Sequence, residues 1–96
     1  MLPIELLPGA RLDFDESFDW YAERGKETAI RFAAEIESAL VKIVDSPERF
    51  YLIDEVHRSC LLQRFPYHVV YRIVGGRVLI VAIAHAKREP GYWEHR

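Results

Sequence analysis

The residues best suited to acid–base or phosphate chemistry lie in the last third of the chain. His68 and His85 stand in stretches rich in Val, Ile and Ala, and Arg88 follows His85 by three residues. Imidazole titrates near neutral pH, so a pair of histidines can donate and accept protons. A guanidinium beside them suits contact with a phosphate or with an acidic protein surface. The alternative interpretation is that both histidines are ordinary polar residues of a partly exposed sheet.

The sequence lacks the residues needed for a metal site or a disulfide bond. His68 and His85 could bind a metal only with a third ligand, which the sequence does not supply at a recognisable spacing. Cys60 is the single cysteine, so it has no partner for an internal disulfide. We expect no metal site, no cofactor and a reducing, cytoplasmic location.

Length and composition predict one domain. The chain has 96 residues, of which 50% are hydrophobic, enough for a single core. We expect one domain over residues 1–96. The N-terminus lacks a basic leader, and no window reaches about 18 uncharged apolar residues, so we expect neither secretion nor a membrane span.

Charge is divided unevenly along the chain. Residues 1–55 hold thirteen acidic and six basic residues, a charge of -7, whereas residues 56–96 hold two acidic and seven basic residues, a charge of +5, in agreement with the total of -2. The split predicts a basic working surface in the second part, although two ordinary solvated faces would give the same pattern.

The order of the elements follows from periodicity and from turn residues. Residues 3–7 predict an edge strand ended by Pro8-Gly9. Two helical stripes follow, separated near Gly25 and closed by Ser46-Pro47, and they predict a helical hairpin. Three strands are predicted at residues 59–65, 67–74 and 77–85, and Gly75-Gly76 joins the last two as a tight turn. The predicted fold is α+β, with a helical hairpin packed on an antiparallel sheet in the order β-α-α-β-β-β.

The turn also predicts a register. If Val74 faces Arg77, Tyr71 faces Ile80 and Tyr67 faces Ala84, which gives one apolar face for the helices. The opposite face would then form a shallow basic surface with the side chains of His68, Arg72, Arg77 and His85.

These elements and three stretches of sequence resemble the RelE/ParE toxin superfamily, whose members are often labelled plasmid-stabilisation proteins. The stretches are Phe65-Pro-Tyr-His-Val-Val-Tyr-Arg-Ile73, Arg77-Val-Leu-Ile-Val-Ala-Ile-Ala-His85 and Ala86-Lys-Arg-Glu-Pro-Gly-Tyr-Trp93. The resemblance covers nearly the whole chain. It implies a bacterial toxin of a type II toxin–antitoxin system, which inhibits growth and is neutralised by a cognate antitoxin.

The target divides this superfamily, because one fold carries two chemistries. ParE-like members inhibit DNA gyrase and perform no known cleavage. RelE-like members are ribosome-dependent endoribonucleases that cut mRNA with lysines, arginines and a tyrosine on the sheet face. In a nuclease of this kind, the catalytic residues here would be Arg88, His68, His85 and Tyr92.

The departures from the nuclease pattern favour the ParE-like interpretation. His68 stands where an arginine is expected, and residues 59–64 lack the expected lysine pair. The slightly acidic chain also suits a ribosome binder poorly, since phosphate contacts supply most of such affinity. We therefore expect a gyrase inhibitor, with an mRNA endoribonuclease as the second possibility and a relic that binds only antitoxin as the third; whether the chain is an enzyme stays open.

The resemblance also suggests which residues contact partners. Target contacts are expected from the basic and aromatic residues Arg72, Arg77, Lys87 and Trp93, although Trp93 could instead anchor the end of the chain. Antitoxin contacts are expected at the N-terminal strand edge, at Ile4 and Leu6, because an added strand could pair there. The outer side of the helical hairpin and the basic sheet face are alternatives.

Overall fold

Two helices and four strands make up the computed structural model, which describes residues 2–96. In chain order they are β1 (Ile4–Leu6), α1 (Pro8–Arg24), α2 (Lys26–Asp45), β2 (His57–Leu61), β3 (Tyr67–Val74) and β4 (Arg77–His85). The helices pack on one face of the single sheet. The predicted order β-α-α-β-β-β is confirmed. Within residues 2–96, neither helix is long and apolar enough to cross a membrane.

The helical hairpin is built from local signals. α1 begins with proline in its first turn, where the fixed φ of proline suits a helix and its missing N–H is not needed. Gly25 alone separates the helices; its N–H donates to the Tyr21 carbonyl, and its own carbonyl accepts from Thr28. On α2, the predicted stripe is confirmed, and its buried residues are Ala29, Phe32, Ile36, Ala39 and Ile43.

The sheet is mixed, which corrects the expectation of a purely antiparallel one. The strand order is β1-β4-β3-β2, and β1 pairs with β4 in parallel. The pairs β2–β3 and β3–β4 are antiparallel because short turns join them. No turn joins β1 to β4, since the helical hairpin and two strands lie between them, so nothing local imposes the antiparallel direction.

A β-bulge corrects the predicted register. Val74↔Arg77 through Tyr71↔Ile80 are paired as expected, but the register then shifts, and Tyr67 pairs with His85 instead of Ala84. The extra residue lies in β4, where the chain is apolar on both sides and alternation carries no signal. Beyond the bulge, the faces of β4 are exchanged relative to the prediction.

The face away from the helices, here called the second face, is partly covered, which corrects the expectation of an open basic surface. Residues 86–96, here called the tail, fold back over it. Trp93 is 6% exposed and packs in a small core with Val70, Val81, Ala82 and Ala84. A sheet covered in this way is buried on both sides at its centre.

The fourth correction concerns β2. The predicted strand at residues 59–65 instead spans His57–Leu61. It ends early because the segment after it turns tightly: Leu62 N–H donates to the Tyr67 carbonyl, and the Glu35 carboxylate accepts from the backbone amides of Gln63 and Arg64 at 2.6 and 2.8 Å. A carboxylate of α2 therefore fixes the connection to β3.

Candidate functional site

His68 lies on the second face, as predicted. It is half-buried on β3, its Nδ1 is 2.7 Å from the Ser59 hydroxyl oxygen, and its ring meets the ring of Trp93 edge-on with centroids 5.9 Å apart. Burial lowers the pKa of His68, because an apolar surrounding disfavours the charged imidazolium. The ring is therefore neutral at physiological pH.

His85 lies on the opposite face from His68, which corrects the predicted alignment of the two histidines. The bulge pairs His85 with Tyr67, and the two rings meet edge-on at 5.0 Å. The backbone N–H of Lys87 donates to His85 Nδ1 at 3.0 Å. Because Nδ1 accepts, the ring proton of the neutral form lies on Nε2.

Both histidines nevertheless reach one cleft, because His85 is the last residue of β4 and the sheet ends there. This second-face cleft has a volume of about 390 Å³. Three of the four candidate catalytic residues, namely His68, His85 and Arg88, line it together with Trp93. The remaining walls come from β4, from the tail and from the loop before β2 and are formed by Ile53, Asp54, Ala84, Ala86, Pro90, Gly91 and Glu94.

Tyr92, the fourth candidate, is held inside the structure. Its hydroxyl donates to the Asp13 carboxylate at 3.0 Å, and the Arg88 guanidinium lies 3.8 Å from the centre of its ring. Burial, and then the adjacent Asp13 charge, raise the pKa of Tyr92 far above its usual value. Tyr92 is therefore a neutral donor already committed to Asp13.

Asp13 connects the tail to α1, and the sequence did not suggest this role. It is 4% exposed. Its carboxylate accepts from Arg96 Nη1 and Nη2 at 2.7 and 3.2 Å and from the Ile83 amide at 3.1 Å. Arg96 Nη1 also donates to the Val81 carbonyl at 3.0 Å. The one sequence signal for the burial of Asp13 is its spacing: it follows Ala10 by three residues and so lies on the same, buried side of α1.

The cluster of Asp13 and Arg96 forms where the edge of β4 is left without a neighbouring strand. β1 ends at Leu6, opposite Ile80, so the outer edge of β4 has no strand beside it from Val81 onward. Buried backbone groups require hydrogen-bond partners. Asp13 and Arg96 supply them for Ile83 and Val81, and the tail is thereby fixed across the sheet.

The residues expected to contact a target are dispersed. Lys87 is exposed just after β4, whereas Trp93 is a buried packing residue. Arg77 lies at the far end of β4 and forms an ion pair with Glu5. Arg72 donates to His57 Nε2 at 3.2 Å and to the Arg96 carbonyl at 3.3 Å. Of these four side chains, Lys87 has the most freedom to meet a partner.

His57, which is isolated in the sequence from the candidate residues, belongs to a second polar group, on the second face. Its Nδ1 donates to Asp54 at 2.8 Å, and its Nε2 accepts from Arg72, so the neutral ring is fixed in one tautomer. Burial acts to raise the pKa of Asp54, but the hydrogen bonds from the His57 and Val56 amides and from the His57 ring outweigh it and lower that pKa. The group stabilises the loop before β2. Among residues 2–96, no group of three or more metal-ligating side chains is present.

The residues expected to bind antitoxin lie on the edge strand β1. Ile4 is 38% exposed, whereas Leu6 packs against the main core. Within residues 2–96, no strand pairs with the outer edge of β1, as the prediction requires, but this edge is only three residues long. Their contact with an antitoxin stays a prediction.

Comparisons with known proteins agree with this architecture. A family model described as the ParE toxin of the type II toxin–antitoxin system parDE matches residues 4–90. A solved structure of the chromosomal ParDE toxin–antitoxin system from P. aeruginosa superposes with a TM-score of 0.80 at 20% sequence identity, over 91% of this chain and 98% of that one. Comparison with curated proteins gives no match.

Proposed function

We propose that this chain, which belongs to the ParE family of toxins in type II toxin–antitoxin systems, stops growth by inhibiting DNA gyrase in the cytoplasm. The observation that carries the proposal is the extent of the family match, because residues 4–90 include every helix and strand. Gyrase inhibition is what resemblance to the ParE branch implies.

The state of the cationic and phenolic side chains supports this choice over RNA cleavage. A nuclease must neutralise a pentavalent phosphate and protonate a leaving oxygen. Here Arg96 is paired with Asp13, and Arg88 lies 3.9 Å from the same carboxylate. Tyr92 donates to that carboxylate as well. Arg96 and Tyr92 are therefore engaged within the protein by direct hydrogen bonds, and Arg88 alone of these three side chains is left to meet a phosphate.

A specific observation keeps mRNA cleavage as the second candidate. His68, His85 and Arg88 line one cleft. The lowered pKa of His68 keeps its imidazole neutral, the form that accepts a proton, while His85 carries its proton on Nε2. His68 could then serve as the base, with the His85 Nε2–H and the Arg88 guanidinium as hydrogen-bond donors to the phosphate.

We further propose that a cognate antitoxin occupies the groove between α2 and β2. The groove has a volume of about 600 Å³, and its basic side chains are Arg31, Lys42 and Arg64. Leu61 at its rim is 67% exposed. Residues 51–53 cover the outer edge of β2 as far as Ser59, which leaves the edge open at Leu61. An extended segment with apolar and acidic residues suits this surface, and it offers more contacts than the short β1 edge.

The target is tested with purified toxin in two assays, DNA supercoiling by gyrase and ribosome-dependent mRNA cleavage. The proposal expects inhibition of supercoiling that survives His68→Ala, and no cleavage. Cleavage that is lost in Arg88→Ala would contradict it and would select the nuclease. Inactivity in both assays, from a protein that still binds antitoxin, would identify a relic.

The antitoxin groove is tested by binding of the product of the adjacent short gene. Leu61→Glu should weaken binding, whereas Leu12→Glu, a matched change at a 56% exposed position on α1, should not. If Ile4→Glu alone weakens binding, the β1 edge is the contact and the groove proposal is wrong.

A further inference from the structure

A separate cleft lies between α1 and the ends of β3 and β4, and the proposed toxin activity does not use it. This α1 cleft has a volume of about 570 Å³, within the range of about 300–1,000 Å³ that is usual for small-molecule sites. His85 and Arg88 line both this cleft and the second-face cleft, so they stand between the two. Its other walls include the aromatic side chains of Trp20, Tyr21 and Tyr67 and the carboxylates of Asp13 and Glu16. The Asp13 carboxylate is already committed to hydrogen bonds from Arg96, Tyr92 and the Ile83 amide.

The two walls of the α1 cleft differ in chemistry. The helix wall carries Glu16 and Trp20, one turn apart on α1. Trp20 is 51% exposed, and the Arg24 guanidinium lies 3.7 Å from the centre of its ring. The strand wall carries His85 and Arg88 instead. A ligand in this cleft would therefore meet a large aromatic surface on one side and positive or donor groups on the other.

The strand wall has hydrogen-bond donors to offer. His85 Nδ1 accepts from the Lys87 amide, so the ring proton lies on Nε2, and no hydrogen bond from Nε2 is formed within residues 2–96. The Arg88 side chain is 50% exposed, and its guanidinium lies 3.9 Å from the Asp13 carboxylate. This distance is too long for a direct hydrogen bond, so the Arg88 N–H groups do not donate to Asp13. An imidazole N–H beside a guanidinium is a suitable pair for a phosphate group.

We propose that the α1 cleft binds a nucleoside monophosphate, with its base stacked on Trp20 and its phosphate at His85 and Arg88. Aromatic side chains stack bases of any sequence, and the cleft is large enough for a base and a ribose. The Glu16 carboxylate would repel phosphate but can accept hydrogen bonds from ribose hydroxyls. The base end is thus oriented towards α1 and the phosphate towards β4. The site goes beyond gyrase inhibition and does not depend on it.

The test follows the indole N–H resonances of the full chain by NMR during titration with AMP, adenosine or inorganic phosphate. AMP should shift the Trp20 resonance, assigned with Trp20→Phe, with a Kd below about 1 mM, while the buried Trp93 resonance serves as an internal reference. Adenosine should bind about tenfold more weakly, since it lacks the charge-assisted hydrogen bonds. An AMP titration without a saturable Trp20 shift would overturn the proposal, and so would inorganic phosphate that binds as tightly as AMP.

Variants separate the two walls, with ligand-detected NMR as the readout and circular dichroism to verify the fold. Trp20→Ala and Arg88→Gln should each weaken AMP binding about tenfold. The matched controls Tyr51→Ala, at a 71% exposed position, and Arg11→Gln, exposed on α1, should leave it unchanged. Equal weakening by the controls would refute the assignment.

A base with a 5′-phosphate could come from a free nucleotide or from the end of a nucleic-acid strand, and a 5′-phosphorylated dinucleotide distinguishes the two. Binding at least as tight as that of AMP would assign the cleft to the end of a nucleic-acid strand, and weaker binding would assign it to free nucleotides. Both results presuppose the Trp20 shift with AMP.

Discussion

Replacing Asp13 should both destabilise the protein and release its tail. In Asp13→Ala the buried Ile83 amide loses its acceptor, which costs about 1–3 kcal/mol. Arg96 loses its ionic partner as well. Because its side chain is 21% exposed, it can turn towards water, and the added cost is closer to that of an exposed pair than to that of a fully buried one, about 1 kcal/mol. We therefore expect a loss of about 3 kcal/mol in the free energy of unfolding.

The assay is unfolding followed by two signals: Trp fluorescence in a Trp20→Phe background, which leaves Trp93 of the tail as the reporter, and far-ultraviolet circular dichroism for the helices. Urea titration gives the change in the free energy of unfolding. In a thermal scan with the same signals, the melting temperature should fall by roughly 12–24 °C, since a domain of this size loses roughly 4–8 °C per kcal/mol. Asp13→Asn keeps an acceptor but not the charge, so its loss should be smaller, about 2 kcal/mol. In the variants, the fluorescence transition should precede the loss of helix.

A double-mutant cycle with Arg96→Ala isolates the ion pair and should give a coupling energy of about 1 kcal/mol or more. Asp15→Ala, an exposed change on the same helix, should stay within about 0.5 kcal/mol of the parent protein. Additive effects of the Asp13 and Arg96 changes, or a loss below about 1 kcal/mol for Asp13→Ala, would refute the reasoning.

Three further predictions follow from particular hydrogen bonds and pKa shifts. Burial raises the pKa of Tyr71 to about 12 from 10.0. The unfolded chain therefore loses this proton at lower pH than the folded protein does, and the free energy of unfolding should decline as pH rises from 10 to 12. Tyr71→Phe should flatten that decline in urea titrations, although it also removes the hydrogen bond to the Pro47 carbonyl. Because the pKa of His68 is lowered in the folded protein, the free energy of unfolding should decline as pH falls below 6.5. His68→Gln should reduce this acid dependence. A titration midpoint of His68 above 6.5, measured by NMR, would contradict this prediction. Glu35→Ala removes the acceptor for two backbone amides and should cost about 1–2 kcal/mol in thermal unfolding, whereas the same change at the exposed Glu37 should cost almost nothing.

The features that sequence predicts well here are those with local causes. Gly25 and Pro47 bound α2, and Gly75-Gly76, both with positive φ, form the hairpin turn that glycine favours. On α2, the spacing of the apolar residues in the sequence matches the spacing of the buried residues in the structure. The existence and order of all six elements could therefore be predicted, because each depends on residues close to it in the chain.

The features that sequence missed depend on contacts between distant segments. The bulge lies in a run of apolar residues that is buried on both faces, so alternation cannot locate it. This one residue moved His85 to the face opposite His68. Asp13 and Arg96 are 83 positions apart, and no periodicity connects an acidic residue of α1 to the tail. The sequence therefore could not predict how His68, His85 and Arg88 come to line one cleft, and their role stays a prediction.

The parallel pairing of β1 with β4 also constrains when the protein can become active. Residues 4–6 form their sheet contacts with residues 78–80, so β1 has no strand to pair with until β4 has been synthesised. Contacts so far apart in sequence slow folding, and a domain of this kind forms as one unit. A nascent chain therefore lacks its finished sheet until β4 has been translated, and no surface that depends on that sheet can form earlier.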